Sequence, residues 1–377
     1  MPKKILVFLA SPFFLPKGSS LRVFSNVSSL ARLGHSVTVL SYAIGERVSS
    51  PHIRVLHPRF LFWYRKTSPG PSFLKAIADV FLFCSGFWHL LWHRKHYDLL
   101  WGEDVEGSFL GVVLAKIFRK PFVSDMHNSL ENTLLPYTKR RSIHFLAKKI
   151  DSFLEKKSKY ITTAWEYDAI RLQKQYPKKR ILFLPESFHT SSQNRISFPF
   201  PFLLYAGNFE SYQGISFFLD AFFFFCVQYQ SDIHFVLIGK ETPEVRQIVQ
   251  ENILASRVHF MGLRSVEDTG SFMKHALFCV IPRVVDGPPS MKAMHYFSCG
   301  KSILATNLSC NEKVIRHNET GFLVSPSREA MVNGIATLVQ NEQLRLSLEK
   351  NVRQKAIGTE KKTDKVIEIL LQSVFLK

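Results

Sequence analysis

KKILVFLASPFFLPKGSSLRVFSNVSSLARLGHSVTVLSY, residues 3–42, decides the fold. Its apolar run, KILVFLA at residues 4–10, is continuous, as a strand buried on both faces requires. A loop from Pro12 to Ser20 follows, with Pro16 and Gly18 as breakers. Leu21, Phe24, Val27, Leu30 and Leu33 then recur at helical spacing until Gly34 supplies a stop. HSVTVLSY, residues 35–42, is the next strand, so the stretch reads as one βαβ unit. Its first loop lacks the GxGxxG pattern of a dinucleotide site. The apolar run stops at Pro12, and a buried first strand explains it better than a secretion signal.

The same alternation continues outward. A hydrophobic helix is expected at about 73–95, buried and with an interfacial end at Trp88 and Trp92; it is marginal for a membrane span. Residues 98–120 repeat strand, loop and helix, and PFVSDMHNS (121–129), YITTA (160–164) and RILFLPES (180–187) supply further strands. Residues 191–201, SSQNRISFPFP, are polar and proline-bearing, like a linker. The series then restarts with FLLYAGN (202–208), HFVLIGK (234–240), RVHFMG (257–262), LFCVIPR (277–283), SILATN (302–307) and GFLVSP (321–326). Amphipathic helices are expected over about 327–356 and 362–376. Two α/β series imply two doubly wound, Rossmann-like domains facing each other across a cleft. The expected division is 1–190 for an acceptor-side domain, 191–201 for the linker, 202–360 for a nucleotide-sugar domain, and 361–377 for a helix packing back on the first domain.

A chain of 377 residues has room for two full cores, and its 46% hydrophobic and 21% charged residues exclude wholesale disorder. Five scattered cysteines without a CxxC pair argue against a disulfide framework or a zinc ribbon and fit a reducing, cytosolic compartment. The net charge of +19 is concentrated: residues 1–200 hold 30 basic and 13 acidic side chains, residues 201–377 hold 19 and 17. Such asymmetry points to an anionic partner, either nucleic acid, a membrane surface or an acidic substrate. Lys139–Arg141 and Lys178–Arg180 are the basic clusters, each equally at home on a solvated surface. No RRM, KH or helix-turn-helix signature accompanies the charge, so no nucleic-acid partner is expected.

Three segments carry candidate chemistry. In LLYAGNFESYQG (203–214), Gly207 follows a strand and Gly214 opens a helix, which permits close ligand approach; an ordinary strand-to-helix turn reads the same way. In IPRVVDGPPSMKAMHYFSCGKSILAT (281–306), Arg283 closes a strand and Ser290 caps a helix running to Gly300. The first-turn amides of that helix, with Arg283 and Lys292, would suit a diphosphate, although Lys292 and His295 could equally occupy a solvated face. DMHN (125–128) ends a strand, where Asp125 and His127 would face the cleft; a lone histidine is more often structural. The absence of HExxH, a Walker loop and GxSxG leaves metal hydrolysis, P-loop phosphoryl transfer and serine-hydrolase chemistry without support.

ARLGHSVTVLS, EDVEGSFLG, KPFVSDMH, YAGNFESYQG, the segment Pro282–Thr306 and NETGFLV, in that order, resemble glycosyltransferase family 4, the retaining nucleotide-sugar enzymes of the GT-B fold. The similarity is to the branch with a YQG loop and a Pro-x-x-x-Lys helix. The resemblance implies that Gly18 and Ser19 lie under the sugar and diphosphate, and that His127 contacts the donor sugar. Gly207 and Asn208 match a glycine and a basic residue over the diphosphate, and Gln213 matches a lysine. Gly287, Ser290, Met291 and Lys292 lead into the phosphate-holding helix. The family's glutamate pair falls near Asp286, expected with His127 in the catalytic set, and at His295. Asn208 and Gln213 replace two cations, and His295 replaces a ribose-binding glutamate; Arg283 and Lys292 are expected to compensate.

The implied activity is that of a retaining, hexosyltransferase-like enzyme. It would move sugar from a nucleoside diphosphate to a cell-envelope glycan or glycolipid, as in lipopolysaccharide or glycolipid biosynthesis. No cofactor and no metal are expected, and the location is cytoplasmic, peripheral on the inner face of the membrane through the basic N-terminal half. The rival reading is a non-catalytic GT-B subunit that binds a sugar nucleotide or serves assembly.

Overall fold

The computed structural model describes residues 1–13, 18–44, 51–61, 63–64, 72–135, 137–185, 198–356 and 359–376. Residues 191–197 of the expected linker, and 14–17 of the loop after Pro12, lie outside that set. The chain forms two compact units, Met1–Ser187 with Gly358–Lys377, and Phe188–Ile357.

The first unit runs β1 (Lys4–Pro12), α1 (Gly18–Arg32), β2 (Ser36–Tyr42), β3 (Ile53–Leu56), α2 (Phe73–His93), β4 (Leu99–Glu103), α3 (Asp104–Phe118), β5 (Phe122–Met126), α4 (Leu130–Leu134), α5 (Arg141–Lys157), β6 (Tyr160–Thr163), α6 (Glu166–Gln175) and β7 (Arg180–Phe183). The strands form one parallel sheet in the order β3-β2-β1-β4-β5-β6-β7. Ile5, Leu6, Val7 and Phe8 of β1 are fully buried, the consequence of helices covering both faces. Alternate residues serve opposite cores: Leu6 and Phe8 join Leu82, Leu90 and Leu114, while Ile5 and Val7 join Val23, Val27 and Trp101.

The helix anticipated as buried over 73–95 is buried only at Ala78, Leu82, Gly86 and Leu90, and most of its circumference is solvent-facing. By length and composition Phe73–His96 could cross a membrane. Its apolar residues occupy the whole turn of the helix, so periodicity alone could not say which face the unit would leave uncovered.

The second unit runs β8 (Phe202–Ala206), α7 (Ile215–Gln228), β9 (His234–Ile238), α8 (Pro243–Gln250), β10 (Val258–Phe260), α9 (Val266–His275), β11 (Cys279–Ile281), α10 (Met291–Ser298), β12 (Ile303–Thr306), α11 (Ser309–Glu312), β13 (Phe322–Val324), α12 (Arg328–Gln340) and α13 (Glu342–Ala356). Its six-stranded parallel sheet has the order β10-β9-β8-β11-β12-β13, the doubly wound pattern again. Phe218, Phe222 and Phe225 of α7 fill its core against Phe235 and Leu237. The single helix expected over 327–356 is two, because Asn341 leaves helical geometry and its Oδ1 accepts from the Leu344 amide at 2.9 Å, capping α13. The last helix, α14 (Thr359–Phe375), belongs to the first unit. Its Ile367, Leu370 and Leu371 enter the core beside Val23 and Val27, and Arg32 pairs with Asp364 at 2.8 Å.

Candidate functional site

In the second unit the strand order reverses between β8 and β11, so the loops beyond their carboxyl ends diverge and leave room for a ligand. Gly207 leaves β8, Arg283 leaves β11, and Met291 begins α10 a few residues later. The Lys292 side chain lies over Gly207: a Cβ there would sit 2.9 Å from Lys292 Cε and 3.1 Å from Nζ. Lys292 Nζ donates to the Tyr205 hydroxyl at 2.9 Å and to Gln213 Oε1 at 2.6 Å. Gln213 is held there by Gly214, whose φ is +72° and whose Cβ position falls 1.9 Å from the Pro282 carbonyl oxygen, a place only glycine fits.

Arg283 is 3% exposed. Its Nη1 donates to the Pro288 carbonyl at 2.6 Å and its guanidinium lies 5.3 Å from the Tyr212 ring centroid, while Nε is buried without a hydrogen-bond partner among the described residues. Among the described residues neither Arg283 nor Lys292 has a carboxylate partner. Burial, and then the charge of Arg283, push the Lys292 amine well below its ordinary value. A buried guanidinium without a counter-ion, beside an amine that desolvation pushes toward its neutral form, is destabilising alone and favours a bound anion, which would also restore the charge on Lys292.

The neighbouring positions behave differently. Asp286 Oδ1 accepts from the amides of Gly287 at 3.0 Å and Cys310 at 2.8 Å, tying the loop to the start of α11. Burial opposes the charged form of Asp286, but these hydrogen bonds win and hold the carboxyl below its ordinary value. Asn208 turns back locally, its Oδ1 accepting from the Glu210 amide at 3.4 Å and its carbonyl from the Tyr205 hydroxyl at 2.5 Å. Ser290 occupies the N-cap of α10 without a side-chain capping bond, and His295, half-buried one turn beyond Lys292, is pushed down to about 3 by burial and is neutral.

The first unit holds its own polar cluster at the carboxyl ends of β4, β5 and β6. His127 is buried with Nε2 at 3.0 Å from Glu103 Oε2 and 3.1 Å from Asp125 Oδ2; Nδ1 is 3.9 Å from Asp104 Oδ2. Arg22 grips Asp125 through two bonds of 2.8 and 3.0 Å, Thr162 donates to the same carboxylate at 2.6 Å, and Asn26 Nδ2 bridges Glu103 at 3.2 Å and Asp125 at 3.0 Å. Burial alone would lower the imidazole, yet the charge of Asp104 and the bonds to Asp125 and Glu103 raise it to about 10. Burial and the charge of Asp125 raise Glu103 to about 7. Burial also opposes Asp125's ionisation, but Arg22 and His127 hold its carboxyl well below the usual range. Glu103, Asp125 and His127 each offer a ligand atom within 4.8 Å of the others, a metal-like spacing in which Arg22 and the His127 proton already supply positive charge.

Of the residues singled out from sequence, Gly207, Gln213, Arg283 and Lys292 come together around one spot. Asp286 and Asn208 lie near it in the chain but make the loop contacts described, and His295 sits one turn beyond Lys292 in α10. Gly18 and Ser19 form the first turn of α1, where a loop was expected, and the Ser19 side chain is outside the described set. Asp125 does not present a free carboxylate beside His127, because Arg22, Asn26 and Thr162 surround it. Sequence reasoning missed Arg22, Asn26, Glu103 and Tyr205; the pair Arg22 and Asn26, four residues apart on an apolar helix, was the available signal.

Residues 201–341 match the family described as glycosyl transferases group 1. Over 156 residues the chain is 27% identical to an uncharacterized glycosyltransferase of Methanocaldococcus jannaschii, a match covering 41% of this chain and 42% of that relative. The structure resembles sucrose-phosphate synthase from Thermosynechococcus elongatus, with a TM-score of 0.79 and 16% identity over 100% of this chain and 99% of that one. It also resembles Anabaena HepE, solved with UDP and glucose, with a TM-score of 0.72 and 15% identity over 99% and 100%. The chain thus has the two-unit α/β architecture of the GT-B fold, and its second unit carries the glycosyl transferases group 1 match.

Proposed function

We propose that the protein is a retaining glycosyltransferase of the family 4 type that takes a nucleoside-diphosphate sugar as donor. The observation that carries this reading is the pair of basic side chains Arg283, buried, and Lys292, half-buried, which have no carboxylate partner among the described residues and stand at the strand-order reversal of the second unit. A diphosphate supplies the charge the pair lacks, and stabilises it more as the leaving group develops. The match of this unit to glycosyl transferases group 1, and the UDP held by the Anabaena neighbour, support the donor class.

The step is a front-face substitution. The bond between the anomeric carbon and the diphosphate oxygen breaks, and its electron pair leaves with the diphosphate. The acceptor hydroxyl oxygen forms the new bond on the same face and its proton passes to a departing phosphate oxygen. Arg283 and Lys292 hold the leaving group; a charged His127 can act only as a hydrogen-bond donor and not as a base. The acceptor is a cell-envelope glycan or glycolipid reached from the cytoplasmic side.

Thermal unfolding in the presence of UDP, GDP, ADP and CMP, and of their sugar conjugates, tests the donor site. A ligand at 100 times its dissociation constant stabilises the folded state by about 2.7 kcal/mol. Lys292→Ala and Arg283→Ala should each abolish the shift, and a shift unchanged in both would remove the site from those residues. No shift from any nucleotide at millimolar concentration would overturn the reading. Release of free nucleoside diphosphate from the conjugate separates a transferase from a subunit that only binds it.

A further inference from the structure

We propose that α2 is a docking element for an anionic bilayer surface, lying along it by an exposed apolar stripe from Phe73 to Trp92. The inference stands on this helix and is independent of the donor reading. A helix of a water-soluble unit turns its charges outward and its apolar residues inward. Here the arrangement is reversed. Lys75 and Asp79 sit on the protein side: Lys75 Nζ lies 2.6 Å from Glu106 Oε1 and 3.5 Å from Asp79 Oδ2, and the Tyr42 hydroxyl donates to Asp79. That side also carries the narrow buried stripe Ala78, Leu82, Gly86 and Leu90, seated so closely that a Cβ on Gly86 would come within 2.9 Å of the Phe8 ring.

Phe73, Val80, Phe81, Trp88, Leu91 and Trp92 point the other way and are between 37% and 80% exposed. They fall on one side of the helix over a length of about 28 Å, and Trp63 widens the patch by packing its ring 6.2 Å from that of Phe81. An apolar face of this extent, free of charge, marks contact with something other than water. The flank identifies the partner. Arg94 and Lys95 follow directly, both exposed, next to the two tryptophans that suit a headgroup boundary. Each such cation near an anionic surface strengthens binding roughly fivefold. A second copy of the chain would bring the same positive flank against itself, so charge favours an anionic sheet of lipid. The inward ion pairs and the buried stripe keep the helix on its unit, which makes it a surface element although it is long enough to span.

The test is co-sedimentation of the full chain with vesicles of phosphatidylglycerol and phosphatidylcholine, and of phosphatidylcholine alone, at physiological salt. The wild type should bind the anionic vesicles at least about tenfold tighter, with a blue shift of tryptophan emission. Trp88→Ala/Trp92→Ala should lose about tenfold in affinity for them, and Arg94→Glu/Lys95→Glu should lose the preference for phosphatidylglycerol. All four side chains are exposed, so both variants should melt like the wild type and keep the nucleotide-induced thermal shift, which separates failure here from failure of the donor site. Absence of vesicle binding by the wild type, or unchanged binding by the tryptophan variant, would overturn the proposal. Equal binding to neutral vesicles would overturn its anionic part. A dimer in light scattering that the tryptophan variant dissolves, without vesicle binding, would assign the stripe to a second copy instead.

Discussion

His127 shares its Nε2 proton with Glu103 and Asp125 and directs Nδ1 toward Asp104, so nearly every neighbour within reach is an anion or an acceptor. An imidazole kept charged cannot accept a proton, and a pH–rate profile should show no ascending limb from His127 between pH 6 and 9. Glu103→Gln removes one anion and should lower the imidazole's pKa by about one to two units, read from its ring resonances in an NMR titration. An unchanged titration would mean that Asp104 and Asp125 suffice. This cluster was poorly legible in the sequence. Its members come from α1, β4 and β5, with sequence separations of 77, 99 and 103 residues, and nothing in hydrophobic periodicity encodes which strand ends meet which helix. Arg283, Lys292 and Gln213 were legible because each sits beside a strand end or helix start that the sequence marks with glycine or proline. Asp286 and Asn208 show the limit of that method: short polar side chains at strand ends also bond to their own backbone, and here both do.

At the scale of elements, the YQG turn joins β8 to α7 and seats Gln213 against Lys292. Gly214→Ala meets both a positive φ and the Pro282 carbonyl, so it should cost about 1–3 kcal/mol, seen as a lower urea midpoint of the second unit. The same change should weaken nucleotide binding, since the turn would have to move; full stability with full binding would contradict this account. Strands were the most legible elements, since a parallel sheet covered on both faces demands apolar runs, and the runs quoted above coincide with β1, β8, β9 and β12. Helix faces were less legible. The 73–95 helix is apolar all round, and which side it buries depends on the small residues Ala78 and Gly86 meeting the sheet, a tertiary fact. The split at Asn341 was hidden because an asparagine within an amphipathic pattern reads as a solvated position until its capping bond is seen.

The two units of the whole molecule should respond oppositely to alkali. His127's folded value of about 10 lies above its ordinary 6.5, so its stabilisation is full below pH 6.5 and is lost as pH rises toward 10. That weakens the first unit by about 1 kcal/mol per pH unit between pH 7 and 9. Lys292 is depressed, so the unfolded second unit binds a proton that the folded one resists, and this unit gains stability as pH climbs toward the ordinary lysine value. All five tryptophans, at positions 63, 88, 92, 101 and 165, belong to the first unit, so their fluorescence follows its unfolding alone while far-ultraviolet dichroism follows both. From pH 7 to 9 the fluorescence midpoint should fall and the residual dichroic transition should hold or rise. Parallel descent of the two would contradict the opposed linkage.

The return of α14 to the first unit has a consequence for synthesis. Ile367, Leu370 and Leu371 complete the core around Val23 and Val27, yet the ribosome makes them only after every residue of the second unit. A nascent chain ordinarily matures from its N-terminus onward. Here the unit translated earlier waits with one apolar face uncovered while the unit translated after it can already close, and α14, made later than both, completes that earlier core.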